Sequence, residues 1–298
     1  MRRCAFLTMA SIADFLCDDD LAYGPFREHG WQVEPVDWKR RDVDWRHYDA
    51  VLIRSAWDYP SDPAAFLDVL AAIEASGTPL ANSVALARWN LRKSYLHELA
   101  ARGVCIVPTL AGRGTDTAPL ARWRRELAND ELVLKPLIGA NAGHTHRIAP
   151  DINAADYARI AECFGDHDYL VQPFMRSVIE EGEYSLFYFS GACSHAILKT
   201  PKPEDFRVQE EHGGIIRTVA AGEALLEAGR ATLAALPETP LYARADYVRH
   251  GSDRFALMEL ELIEPSLYLR MDAGAPARFA RAFVDWWRSQ GSQSTTTR

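Results

Sequence analysis

The feature that most constrains this chain is an apolar stretch, Ala256–Tyr268, that carries acids at alternate positions. Side chains two residues apart on a β-strand point to the same face, so Glu259 and Glu261 should project together. Two neighbouring carboxylates repel each other unless a cation lies between them, and Mg²⁺ prefers oxygen ligands of this kind. The stretch therefore indicates either a divalent-cation site or a solvated acidic face on an edge strand.

A second strand with an embedded acid comes shortly before this one. Leu241–Arg249 is largely apolar and contains Asp246, thirteen residues before Glu259. If the two strands are antiparallel neighbours, Asp246 lies beside Glu259. The sequence thus predicts three carboxylates near one position.

Length and composition limit the class of protein. The chain has 298 residues, enough for two or three domains, and it is 48% hydrophobic with a net charge of -8. An acidic total argues against a nucleic-acid partner and against a membrane surface. The five cysteines are scattered without C-x-x-C spacing, which favours a reducing compartment. We therefore expect a cytoplasmic protein.

The opening residues have two interpretations. Two arginines precede an apolar run, as in a signal peptide, but Asp14 interrupts the run and three acids follow at 18–20. We interpret Arg3–Thr8 as the first core strand.

The first part of the chain alternates strands and helices. Trp31–Val36 and Asp49–Ser55 read as strands, and Asp62 with Pro63 has the form of a helix N-cap followed by proline at N1. This alternation predicts a parallel sheet, whose ligands lie beyond the carboxyl ends of its strands. Arg54–Tyr59 occupies that position, and it is either an ordinary polar loop or a substrate contact.

A strand-borne lysine followed by a glycine-containing loop suggests a phosphate site. Lys135 ends a short strand, and Gly139 and Gly143 follow it. Glycines let backbone N–H groups approach phosphate oxygens, and lysine supplies charge. The pattern is neither a Walker A box nor a Rossmann fingerprint, so taken alone it favours a plain hairpin loop over a phosphate site.

Two later segments could complete a nucleotide site. Gln172–Met175 reads as a hinge whose backbone groups can pair with an adenine edge, and Glu183 can take ribose hydroxyls, with Glu180 and Glu181 as neighbouring candidates. A surface turn rich in acids is the alternative. The long loop Thr200–Gly214 has the length of a lid or binding loop and contains Arg207, which could stabilise a transferring phosphate.

Taken in order, these features resemble the ATP-grasp superfamily and are similar to the branch of bacterial glutathione synthetases. The resemblance covers about Leu80–Arg288 and includes Lys93 in a predicted helix, Leu91–Arg102. The stretches ELELIEPS and RSAWDY further resemble a subgroup that contains the cycloserine-forming ligase of antibiotic biosynthesis.

The resemblance implies a fold and a division of the chain. The expected fold class is α/β, with an N-terminal parallel α/β domain followed by a two-part ATP-grasp fold. The expected domains are residues 1–81, residues 82–171 with the glycine loop, and residues 172–298 with the metal site.

The resemblance also implies the ligands and their residues. ATP and two Mg²⁺ ions are expected, with Mn²⁺ able to substitute. The implied nucleotide-binding residues are Lys93, Lys135, Gly139, Gly143, Gln172, Pro173, Phe174, Met175, Glu183 and Lys199. The implied metal ligands are Asp246, Glu259 and Glu261, and the implied catalytic residues are Arg207 and Arg244. Many relatives carry Asn where this chain has Glu261, and a carboxylate keeps the oxygen ligand.

The implied reaction is ligation of a small-molecule carboxylate to an amine through an acyl phosphate. Ring closure within one molecule, as in cycloserine formation, is one form of it. Arg54 or Arg207 would suit a substrate carboxylate, and Trp57 and Tyr59 a small amphipathic molecule. A homo-oligomer is expected. Two alternatives stay open: a non-catalytic nucleotide-binding protein, and a ligase that adds amino acids to a protein.

Overall fold

The computed structural model describes residues 1–114, 120–140 and 142–293, with side chains through residue 290. Three sheets follow one another along the chain. The predicted domain limit at residue 81 coincides with the end of the first sheet, whereas the limit at residue 171 falls inside the strand Asp168–Pro173 of the second sheet. Both limits stay a prediction.

The first sheet is parallel, as predicted from the strand–helix alternation. Its strands are β1 (Arg2–Thr8), β2 (Trp31–Asp37), β3 (Ala50–Ser55) and β4 (Leu80–Ala81), in the order β2-β1-β3-β4. Its helices are α1 (Tyr23–Glu28) and α2 (Pro63–Ala75). The Asp62 side chain accepts a hydrogen bond from the Ala65 amide and Pro63 occupies the first turn of α2, so the predicted cap is confirmed.

Two short helices, α3 (Val84–Asn90) and α4 (Tyr95–Ala101), lead out of this sheet. The sequence predicted one helix from Leu91, with Lys93 in its first turn, and this is wrong. Lys93 lies between the helices because its amide donates to the Leu137 carbonyl at 2.9 Å. A contact to a residue so distant in sequence leaves no local signal.

The second sheet is antiparallel and carries the glycine loop. Its strands are β5 (Leu110–Arg113), β6 (Leu132–Pro136), β7 (His146–Ile148) and β8 (Asp168–Pro173), in the order β5-β8-β6-β7. Helices α5 (Leu120–Glu126) and α6 (Ala154–Phe164) contribute Trp123, Tyr157 and Phe164 to a core against this sheet.

The third sheet is also antiparallel and holds the acidic strand. After the single turn α7 (Ser177–Glu180), its strands are β9 (Glu183–Phe189), β10 (Ala192–Thr200), β11 (Ile215–Thr218), β12 (Tyr242–Arg249) and β13 (Phe255–Glu261). Their order is β11-β10-β9-β12-β13. Helix α8 (Glu223–Ala234) precedes β12, and α9 (Ala275–Gln293) ends the described chain.

Helix α9 joins the last part of the chain to the first sheet. Phe283 stacks on Phe26 with ring centroids 4.7 Å apart, and Phe279 contacts Phe6 and Phe26. These residues share one core with strands of the third sheet. The first and last parts of the chain therefore share one hydrophobic core.

Strand β13 is an edge strand whose outer backbone groups are satisfied by side chains. The Asn90 amide group donates to the Leu260 carbonyl and accepts from the Leu262 amide, each at 2.9 Å. The Leu260 amide donates to the Tyr95 hydroxyl at 2.9 Å. These bonds fix the position of the strand that carries Glu259 and Glu261, and they shield its edge.

Within the described residues, no helix combines the length and apolar character that crossing a membrane requires.

Candidate active site

One cavity, with an empty volume of about 1390 Å³ including space open to solvent, is bounded by all three sheets. It lies at the carboxyl end of β3, where Trp57 contributes to its wall. Every residue predicted to bind nucleotide, bind metal or take part in catalysis lines this cavity. The sequence therefore identified residues that the fold brings together from distant segments.

The acidic strands are antiparallel neighbours, as predicted. Asp246 is the register partner of Glu259, and Arg244 is the register partner of Glu261. A register shift follows Asp246, where β12 passes from residue 246 to 247. Asp246 and Glu259 therefore face one another from adjacent strands.

Arg244 and Lys199 connect the carboxylates of this cluster. The Arg244 guanidinium donates to Glu261 at 2.5 Å and to Asp246 at 3.1 Å. The Lys199 ammonium lies 2.9 Å from Glu183 and 3.2 Å from Asp246. Asp246 also accepts a hydrogen bond from Ser185. Four charged side chains around Asp246 thus form one buried network.

Charge compensation differs across the carboxylates. Burial opposes ionisation of Asp246, but the charges of Arg244 and Lys199 outweigh it and lower its pKa to about 2. Burial likewise opposes ionisation of Glu259, but the cations beside it lower its pKa. At Glu261 burial prevails over Arg244 and, with the charge of Glu259, raises the pKa to about 7. Of these three carboxylates, Glu261 is therefore the one whose charge the surrounding cations compensate least.

Lys93 and Lys135 form the cationic side of the cavity. The Lys93 ammonium lies 3.0 Å from Glu259 and donates to the Gly139 carbonyl at 2.7 Å. Lys135 is 7% exposed, and among the described residues its ammonium has one hydrogen bond, 3.4 Å long, to the Met258 carbonyl. Burial lowers the pKa of Lys135, and the charge of Lys93 acts in the same direction. An ammonium has three donors, so Lys135 has capacity for an anionic ligand.

The donor chemistry of the acidic cluster fits a hard divalent cation. Asp246, Glu259 and Glu261 all line the cavity and offer carboxylate oxygens, which are the ligands that such a cation prefers. In the part of the chain that the structure describes, no three such groups already surround a common metal position. Lys93 and Arg244 form ion pairs with these carboxylates instead. The role of the three carboxylates as metal ligands stays a prediction.

The glycine loop lies directly against Lys93. Gly139 supplies the carbonyl that Lys93 binds, and the Gly143 amide donates to the Ala140 carbonyl at 3.0 Å, which forms a turn. Position 141 lies outside the described residues. Because both glycines line the cavity, they are placed where a phosphate-covering loop would be.

The predicted adenine hinge borders an apolar part of the cavity. Phe174 and Met175 line it together with Val133, Met258 and Phe206. The Phe206 ring approaches Phe174 edge-on, with centroids 6.1 Å apart. The Phe174 amide donates to the Glu131 carbonyl at 2.8 Å and is therefore engaged within the protein. An apolar slot of this kind suits a flat aromatic base.

The three candidate ribose acids have different surroundings. Glu183 lines the cavity but is bound to Lys199 in the charged network. Glu181 pairs with Arg249 at 2.6 Å, and Glu180 is exposed on α7. Of the three, Glu183 is the one that reaches the cavity, and its ribose role stays a prediction.

The two arginines proposed for substrate contact have unequal positions. Arg207 lines the cavity, and its guanidinium is bound to Asp205 at 2.9 Å. Arg54 is 1% exposed and lies 2.9 Å from Asp19, and it also donates to the Pro265 carbonyl at 3.0 Å. The interpretation of Arg54 as a substrate ligand is therefore wrong, because its guanidinium is fully engaged inside the protein.

Sequence reasoning left other cavity residues without a role. Among them are Phe15, Leu16, Phe206, Gln209, Met258 and Glu264. The Gln209 side-chain oxygen is buried without a hydrogen-bond partner in the described structure. The sequence shows Glu264 as a third acid of the apolar stretch. It lies beyond the end of β13, where strand alternation no longer predicts the direction in which its side chain points.

Two comparisons with known proteins identify the family of this chain. A family model described as the N-terminal domain of D-cycloserine synthetase DcsG matches residues 4–82. The cycloserine biosynthesis protein DcsG of Streptomyces lavendulae is 33% identical over 276 residues, which cover 87% of this chain and 90% of that protein. This chain belongs to the DcsG family.

Solved structures place this DcsG family member among the ATP-grasp ligases. A crystal structure of D-cycloserine synthetase DcsG matches with a TM-score of 0.83 at 29% identity, covering 96% of this chain and 99% of that one. D-alanine–D-alanine ligase from Bacillus anthracis, complexed with ATP, matches with a TM-score of 0.72 at 14% identity, covering 99% and 100%. The second likeness shows the fold alone. The resemblance to ATP-grasp ligases and the expected fold class are confirmed, and the chain is an ATP-dependent ligase that forms C–N bonds.

Proposed function

We propose that this DcsG family member activates a small amino-acid-like carboxylate as an acyl phosphate and closes it into the cycloserine ring. Cycloserine contains a ring amide. Opening its C–N bond with water gives a serine-type amino acid that carries a nitrogen on its side-chain oxygen. The substrate therefore supplies both the carboxylate and the attacking nitrogen.

The reaction divides into two displacements. A carboxylate oxygen attacks the γ-phosphorus of ATP, the bond to the bridging oxygen breaks, and ADP leaves. The nitrogen lone pair then attacks the acyl carbon, phosphate leaves with the shared oxygen, and the nitrogen loses a proton. Such chemistry depends on positioning and charge neutralisation more than on a covalent side-chain intermediate.

The observation that carries the proposal is the pairing of cations and carboxylates around one cavity. Lys93 and Lys135 line the cavity together with Asp246, Glu259 and Glu261, and the Lys93 ammonium lies 3.0 Å from Glu259. In this proposal the lysines hold the phosphates of ATP, with Lys135 using the donors that the protein leaves unused. Arg244 and Lys199 hold the acyl phosphate. The three carboxylates hold Mg²⁺, which neutralises phosphate charge when bound.

The apolar part of the cavity supports the placement of the nucleotide. Phe174, Met175 and Phe206 would enclose adenine, and Glu183 would face the ribose. The acceptor would then lie at the opposite end, beside Trp57 and Phe15, whose ring centroids are 5.2 Å apart. Aromatic walls suit a small ring-shaped product and exclude water from the acyl phosphate.

The test is turnover by purified protein with ATP, Mg²⁺ and a serine derivative that carries a nitrogen on its side-chain oxygen. We expect ADP and phosphate in equal amounts, together with cycloserine identified by mass and retention time. A pool of amino acids and dipeptides serves as the comparison. Formation of AMP and pyrophosphate, or turnover with the pool and not with the serine derivative, would overturn the proposal.

A further inference from the structure

A buried carboxylate at the acceptor end of the cavity has no part in the reaction described above. Glu264 is 5% exposed and lines the cavity. The Trp57 indole N–H donates to the Glu264 carbonyl at 2.9 Å, and the Tyr59 hydroxyl lies against the Glu264 carboxylate. Residues of the N-terminal sheet thus hold Glu264 in a fixed position.

Glu264 lacks the direct ion pair that neighbouring carboxylates have. Four other carboxylates of the cavity contact a cation, in the pairs Glu183–Lys199, Asp246–Arg244, Glu259–Lys93 and Glu261–Arg244. Within the described residues, Glu264 forms no ion pair with Lys, Arg or His. Burial of a carboxylate without a cation is unfavourable, so the arrangement points to a cation supplied by a ligand.

We propose that the Glu264 carboxylate binds the ammonium group of the amino-acid substrate and thereby selects for it. The inference rests on the proposed function, because the cation belongs to the substrate of the same cavity. The surroundings favour an organic ammonium over a hydrated metal ion, since Trp57 and Phe15 supply aromatic surface beside the carboxylate.

The charge pattern of the cavity fits a zwitterion. Arg244 lines the same cavity and is close enough for its charge to act on Glu264. A substrate whose ammonium lies at Glu264 can direct its carboxylate towards Arg244, where phosphoryl transfer is proposed. Glu264 would therefore orient the substrate and would take no part in phosphoryl transfer or ring closure.

The inference is tested by the binding of two ring compounds to two proteins. D-cycloserine and the same isoxazolidinone ring without the amine are titrated calorimetrically into wild type and Glu264→Gln, each with ADP and Mg²⁺. We expect wild type to bind D-cycloserine about 10- to 100-fold more tightly than the ring without the amine. We expect Glu264→Gln to bind both rings with similar, weak affinity.

Control variants separate this role from others. Glu227→Gln, on the exposed surface of α8, should retain the wild-type preference. Glu261→Gln should weaken Mg²⁺ binding in the presence of ADP, whereas Glu264→Gln should not. An equal loss of Mg²⁺ affinity in both variants would make Glu264 a metal ligand and overturn the inference.

The outcomes also distinguish this inference from the proposed function. If wild type binds both rings equally, or Glu264→Gln keeps the preference, the ammonium site is wrong while cycloserine formation can stand. If wild type binds neither ring and forms no cycloserine, the proposed function fails and the inference fails with it. The comparison of the two rings in wild type needs no variant, so it holds even if Glu264→Gln folds poorly.

Discussion

The Lys93 ammonium lies 3.0 Å from the Glu259 carboxylate, so a predicted phosphate ligand and a predicted metal ligand neutralise one another. Glu259 is also the register partner of Asp246 on the neighbouring strand. Lys93 binds the glycine loop through the Gly139 carbonyl as well. One ion pair therefore connects the loop, the acidic strand and the cationic side of the cavity.

Glu259→Gln should lower kcat by about 100-fold or more while leaving the fold intact, because it removes charge from the proposed metal site without changing side-chain size. Steady-state kinetics and the melting temperature measure the two effects. Glu227→Gln is the control for the substitution itself. Turnover near the wild-type rate in Glu259→Gln would contradict the proposed role of Glu259 as a metal ligand.

Lys135→Ala should weaken ATP binding by about 10- to 100-fold, because the Lys135 ammonium has donors that the protein does not use. Equilibrium binding of a non-hydrolysable ATP analogue measures the change. Lys39→Ala removes a lysine outside the cavity, whose partner is Asp58, and should leave the affinity unchanged. An unaltered affinity in Lys135→Ala would contradict the role of Lys135.

Arg54→Met should destabilise the protein by about 3–5 kcal/mol, because it leaves the Asp19 carboxylate without its buried partner. Urea denaturation gives the free energy of unfolding. Arg40→Ala breaks an exposed pair with Asp42 and should cost less than about 1 kcal/mol. If the two variants lose similar stability, the Arg54–Asp19 pair is not the structural contact described here.

The surroundings of Glu264 predict a pH dependence of stability. Burial and the charge of Glu261 raise the pKa of Glu264 from 4.5 to about 8. Between these values the folded protein keeps a proton that the unfolded chain releases. The stability contributed by this group is therefore fully present below pH 4.5 and is lost as the pH rises towards about 8.

The substitution Glu264→Gln replaces the titrating carboxyl group with an amide that does not titrate. The variant should therefore gain stability relative to wild type as the pH rises from about 5 to 8. Urea denaturation of both ligand-free proteins at several pH values measures the difference between them. A difference that stays constant with pH would show that the Glu264 carboxyl is not shifted in this way.

The sequence predicted those parts of the site whose signals are local. Alternation placed Glu259 and Glu261 on one face, and strand pairing placed Asp246 beside them. The cap at Asp62 and the parallel first sheet follow from short-range patterns in the same way.

Contacts between residues far apart in the sequence could not be predicted from these local patterns. Arg54 follows an apolar strand and resembles a loop cation, but its partner Asp19 and the Tyr242 ring beneath it lie far away in sequence. Lys93 lies outside its predicted helix because its backbone amide donates to the carbonyl of Leu137, just after β6. Glu264 could not be oriented from the sequence, since its position depends on Trp57 and Tyr59.

The central claim is that the substrate carboxylate becomes an acyl phosphate, and transfer of oxygen-18 tests it most directly. A serine-type substrate labelled in its carboxylate oxygens is incubated with the protein, ATP and Mg²⁺, and the released phosphate is examined by mass spectrometry. We predict one labelled oxygen in the phosphate, formed together with ADP. Unlabelled phosphate, or label in AMP accompanied by pyrophosphate, would contradict the proposed mechanism.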